Sequence, residues 1–158
     1  MRSPYEPPRA AVADLEPARG SALKAVLYGV LVDIGGTLVA GAVLVFVYGV
    51  VLAASGASAE EIDQALTRAE PLSWFSLIGL AIGTATSFLG GYVCARVARW
   101  AEMKWAGVVA AVSGLVSLLM GSGSYSFEWN ALLALLAMGA VVWGGWVGAR
   151  RNARTDAG

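Results

Sequence analysis

The chain has 158 residues, zero formal net charge and a 58% hydrophobic share, with only 14% charged residues where soluble domains carry about 25%. Mean hydropathy is +0.67 and the charges stand in blocks between long apolar runs, which excludes an ordinary soluble domain. No histidine and one cysteine, Cys94, exclude an internal disulfide, a zinc cluster and the commonest general base at neutral pH.

Residues 1–21 predict a disordered cytoplasmic tail, since Pro4, Pro7, Pro8 and Pro17 deny it regular structure. The apolar run over 22–54 begins late and is too long for a secretory signal core. It exceeds the ~20 residues a bilayer needs, so this first span tilts or protrudes. The connector that follows holds Ser58 and, three residues on, Glu61, the spacing of a capping box. Ile62 and Leu66 then share one face of a short amphipathic helix at the membrane surface. It reads first as a solvated connector, and otherwise as a lid or partner-binding element.

The second span covers 72–97, with Pro71 suited to a first helical turn. The third covers 105–120, short enough for Lys104 to snorkel at its end. The fourth covers 129–149, and residues 150–158 form a frayed cytoplasmic tail. Of eleven basic residues only Arg68 falls between the first and second spans, and none falls between the third and fourth. Basic residues near span ends are retained in the cytoplasm, so both chain ends are placed there. The Ala-, Gly- and Arg-rich composition points to a bacterial inner membrane. Trp74, Tyr125, Phe127 and Trp129 mark one interface, and Tyr28, Trp100, Trp105 and Trp146 the other. Trp143 lies deeper and needs a partner for its N–H or a lipid-facing position.

Two segments repeat. Gly90-Gly91-Tyr92-Val93-Cys94-Ala95-Arg96 ends the second span, and Gly144-Gly145-Trp146-Val147-Gly148-Ala149-Arg150 ends the fourth. The fold expected is all-α, a four-transmembrane-helix bundle of two helical hairpins related as a parallel repeat, although convergence on a common helix ending gives the same match. The Gly90–Arg96 run resembles a signature of small four-helix bacterial membrane proteins of uncharacterised function. The resemblance implies the four-span layout and no activity or site residues.

Helical spacing gives every span a stripe of small residues, which lets backbones approach where lipid removes the hydrophobic drive. In the first span it holds Gly29, Asp33, Gly36, Thr37 and Ala40, and in the second Ser76, Gly79, Gly83, Ser87, Gly90 and Cys94. Gly36, Gly83, Gly90, Gly91, Gly144, Gly145 and Gly148 are the expected packing positions. The stripes read first as bundle core. The sharper reading is a polar pathway of Thr37, Thr84, Thr86, Ser87 and Ser113.

Asp33 is the one acid embedded in apolar sequence. Such a charge costs ~3 kcal/mol or more at the bilayer centre, so it faces the bundle, pairs with a cation or stays protonated. Arg96 and Lys24 are candidate partners, and Asp33, Thr37 and Arg96 form the candidate polar site. It is either a cation or proton site or an interhelical clamp. No metalloprotease pattern, serine elbow or phosphate loop occurs, so no catalysis, cofactor or metal is expected. Gly121-Ser122-Gly123-Ser124 reads as a turn. No basic run suits nucleic acid, and the partners expected are the lipid bilayer and a second copy or another membrane protein. The leading expectation is a structural or accessory membrane subunit. The alternative is a small oligomeric transporter or channel using Asp33.

Overall fold

The computed structural model describes residues 20–68, 70, 72–121 and 126–155. The tail over 1–19, Pro71, the 122–124 turn and Tyr125 lie outside them, as do the side chains at 120 and 121. Regular structure among the described residues is entirely helical: α1 (Ala22–Val30), a π-helical turn (Leu31–Gly35), α2 (Gly36–Ala54), α3 (Ala59–Thr67), α4 (Trp74–Ala98), α5 (Glu102–Gly121) and α6 (Phe127–Thr155). The continuous helix Ala22–Ala54, with α4, α5 and α6, gives four helices long and apolar enough to cross a membrane. The chain is an all-α bundle of four such helices.

Serine side chains open these helices. Ser21 accepts from the Lys24 amide at 3.5 Å, and Ser73 from the Ser76 amide at 3.2 Å. Ser73 therefore starts the second span at Trp74, two residues later than the hydropathy edge. Ser58 and Glu61 complete the capping box of α3: the Ser58 amide donates to Glu61 Oε2 at 2.7 Å and the Glu61 amide to Ser58 Oγ at 3.3 Å. Between α4 and α5 the turn is tight, with Arg99 (φ 53°) and Ala101 (φ 45°) in the left-handed region.

The largest departure from expectation lies at the C-terminus. Residues 150–155 do not fray but continue α6 to Thr155, because Asn152 is buried and tied to two other helices. The Asn152 amide donates to the Ala95 carbonyl at 2.9 Å and to Glu102 Oε1 at 3.2 Å, while Arg96 Nη1 donates to Asn152 Oδ1 at 2.8 Å. Outside this knot Arg150 stacks on Trp146, 3.7 Å from its ring centre.

Packing is closest in the half of the bundle nearest Arg96 and Arg150, called here the basic end. Ala25, Cys94, Ala98, Val109, Ala110 and Val141 form its core. A side chain on Gly91 would strike the Val141 carbonyl, and one on Gly144 the Phe88 carbonyl. Gly148 faces Ala95 and Tyr92, and Gly145 faces Ala106. The two repeat motifs thus pack on each other, but their glycines exchange roles. The first glycine of one motif, Gly90, meets Gly29 and Asp33 in its own hairpin, whereas the first of the other, Gly144, meets α4 across the bundle. One residue is about 100° of helix rotation, so matched sequence positions look in different directions, and the contacts do not repeat as the motifs do.

Toward the opposite end, which carries Glu60, Glu70 and Glu128, α2 parts from the bundle. None of the 19 residues of α2 is buried. Among the contacts that hold it are the Thr37–Thr86 hydroxyl bond of 2.7 Å and the stack of Tyr48 on Phe75, with ring centres 4.6 Å apart. Phe46 and Trp143 turn outward, as lipid-facing side chains do, and Trp143 also meets the edge of Phe88.

Candidate functional site: a cavity ending at Asp33

The π turn sets Asp33. A π turn holds an extra residue and recurs at functional sites. Before it the inward face runs through Gly29 and Asp33. After it Thr37, Gly41, Leu44 and Val45 line the cavity, while Ala40 is half-buried outside the lining. Gly90 supplies the room on α4: a Cβ there would lie 2.7 Å from Asp33 Cβ and 2.7 Å from the Gly29 carbonyl.

Asp33 is 3% exposed. Its Oδ1 accepts from the Ser87 hydroxyl at 2.7 Å, and its Oδ2 has no hydrogen-bond partner among the described residues. Ser113 on α5 is also buried, and its Oγ has none either. Asp33, Ser87 and Ser113 each stand eleven residues from the basic end of their helix, about 16 Å along it. They form one level, about half the ~30 Å thickness of a hydrocarbon core from that end.

That level is the floor of a cavity of about 560 Å³ bounded by all four spans. The small-residue core lies beneath it. Its walls rise through Thr37, Gly83 and Leu133 to Leu72 and Trp129 at the acidic end. Most of the lining is apolar, with Asp33, Thr37, Ser76, Thr84, Ser87, Ser113, Ser117 and Asn130 as polar exceptions.

Two hydroxyls of the expected pathway are satisfied locally. Thr84 donates to the Leu80 carbonyl at 2.7 Å, and Thr86 reaches the Gly83 carbonyl at 2.9 Å and leaves the lining. Of the candidate trio, Asp33 and Thr37 share the cavity, but Arg96 does not. It is bonded to Asn152 at the basic end, about 13 Å along α4 from Ser87. Lys24 is exposed, so neither candidate cation partners Asp33. Gly83 also departs from its expected role: nothing lies within 4 Å of a Cβ placed there, and it lines the cavity. Gly36 makes a lesser approach, 3.2 Å to Thr86 Cγ2, while Gly90, Gly91, Gly144, Gly145 and Gly148 are true packing positions. Sequence reasoning missed Ser117, Asn130 and Asn152. The signal for Asn130 was an amide at the head of an apolar run.

The fold and site together define a class: a small multi-pass helical bundle with a buried acid at the end of an intramembrane cavity. No family model, curated protein or solved structure matches the chain. The likeness read from Gly90–Arg96 rests on that run and the four-span layout.

Proposed function

We propose that the protein is a small carrier of the bacterial inner membrane, with both chain ends cytoplasmic, that holds a solute in the cavity and uses Asp33 as its ionisable anchor. One observation carries the reading: a buried carboxylate with an open oxygen lies at the floor of a cavity bounded by all four spans. A scaffold would be expected to close such a space, because helix association in lipid gains from close packing. It would also be expected to lack an unanswered acid at mid-membrane depth. With Arg68 the one basic residue in the two connections at that end, first to second span and third to fourth, the cavity opens to the periplasm and the packed half faces the cytoplasm.

Thiol labelling tests this. Cys94 is the one cysteine and is fully buried, so the native chain is silent. Ser117→Cys, in the cavity wall, is expected to react with a membrane-impermeant thiol reagent in right-side-out vesicles and not in inverted ones. Absence of labelling from either side refutes the carrier.

The second reading, a non-catalytic structural or accessory subunit, is supported by α2. Its apolar surface, Phe46, Val47, Val50 and Val51 included, is uncovered, and another membrane protein would fit it. Native mass spectrometry of gently extracted protein decides: a stoichiometric companion supports this reading, and a homo-oligomer supports the carrier.

A further inference from the structure

We infer that the solute is an amphiphilic organic cation, a bulky apolar body bearing one positive charge, with Asp33 as its counter-ion. The inference rests on the carrier reading and names the substrate class of that site. Charge is the first ground. Asp33 is the one charged residue among the described residues that line the cavity. A carboxylate at this depth needs a proton or a cation, and Arg96 is held by Asn152. A single positive charge is what this carboxyl group can pair with once its proton is gone.

Size is the second. A cavity of about 560 Å³ is far too large for a bare ion and lies within the 300–1,000 Å³ of pockets that take drug-sized molecules. Wall chemistry is the third. Ile34, Leu44, Phe75, Leu80 and Leu133 line the space. They would give a hydrated ion no ligands, and they suit hydrocarbon or aromatic groups. The orphaned Ser113 hydroxyl lies on the same floor as the open Asp33 oxygen, so an ammonium-like head finds two acceptors there. Trp129 and Phe75, nearer the mouth, offer ring faces that attract a cation on entry.

The experiment uses the full-length protein in lipid nanodiscs, with isothermal titration corrected by empty nanodiscs. The probes are tetraphenylphosphonium, a cation, and tetraphenylborate, an anion of the same shape. Saturable binding of the cation alone is expected, weakened at least tenfold by Asp33→Asn and retained by Asp33→Glu. A second variant leaves the acid untouched: Gly83→Leu puts a side chain into open cavity space and is expected to weaken the cation at least tenfold. Protection of Cys94 from thiol reagents confirms that each variant is folded. Binding of the anion as tight as that of the cation overturns the assignment, as does cation binding unchanged by either variant. Should Ser117→Cys label from the periplasmic side while the cation fails to bind, the cation assignment falls and the cavity reading stands. Failure of both overturns both.

Discussion

Replacing Gly90 by alanine puts one methyl group into the crossing of α1 and α4. The new carbon would lie 2.7 Å from Asp33 Cβ and 2.7 Å from the Gly29 carbonyl oxygen. Ordinary contact begins near 3.4 Å, so the helices must separate by about 0.7 Å or more in a region packed to interior density. Overpacking of this kind costs about 1–3 kcal/mol. The same movement stretches the 2.7 Å bond from Ser87 to Asp33, and a bond to a charged acceptor contributes about 1.5–3 kcal/mol. A loss of about 2.5–6 kcal/mol follows if both costs are met in full. Gly83→Ala is the control, two turns earlier in the same helix and on the same stripe. Nothing lies within 4 Å of its Cβ, and alanine is favoured over glycine in a helix by about 0.5–1 kcal/mol. Cys94 provides the assay, because a thiol-reactive fluorophore meets it only on unfolding. Gly90→Ala is expected to melt roughly 10 °C below Gly83→Ala, at about 2–4 °C per kcal/mol for a chain of this size. Equal melting temperatures for the two variants would show that α1 does not cross α4 at Gly90, and the floor of the cavity would go with that contact.

Asn152→Ala removes three hydrogen bonds that join α4, α5 and α6, so the same melt is expected to fall by the equivalent of about 2–3 kcal/mol, while the exposed Arg154→Ala stays within about 0.5 kcal/mol of the parent. Ala101→Gly relieves a left-handed alanine at φ 45° and is expected to gain about 0.5–1 kcal/mol, unless the tight turn between α4 and α5 is wrongly placed. Glu61 is held below its ordinary value of 4.5 by the Ser58 amide and then by the Ser58 side chain. A depressed acid contributes stability above its unfolded pKa and loses it as pH falls through the folded one. The Ser58 amide resonance in an NMR titration should therefore shift with a midpoint below 4.5, and a midpoint at or above 4.5 would mean that the capping box is not formed.

Four spans could be read from composition alone, because a bilayer demands long apolar helices and places the charges between them. Asp33 was legible for the same reason, an acid where hydrocarbon should be. Its partner was not. Arg96 looked available because it ends the second span, but helix register turns it toward Asn152, which lies in a stretch that looked like a frayed tail. Residue type gave no hint that α6 would run on to Thr155. That depends on an amide finding Ala95 and Glu102 at once, a tertiary fact.

The stripes show where one-dimensional reasoning stops. Gly83 and Gly90 sit seven residues apart on one face of α4, and helical spacing assigns both the same duty. One meets the backbone of α1 and the other meets open space. The difference is made on another helix. The π turn at Leu31–Gly35 adds a residue to the first span, so the face that packs at Gly29 is carried on through Thr37 and Gly41. Beyond that turn α2 buries no side chain, and a stripe able to close a bundle becomes the wall of a cavity. Restoring an α-helical register by deleting Ile34 tests this. α2 would then turn by about 100°, Thr37 and Gly41 would leave the cavity wall, and Ser117→Cys in that background should lose its labelling. Labelling that persists would mean that the parting of α2 has a cause other than the extra residue.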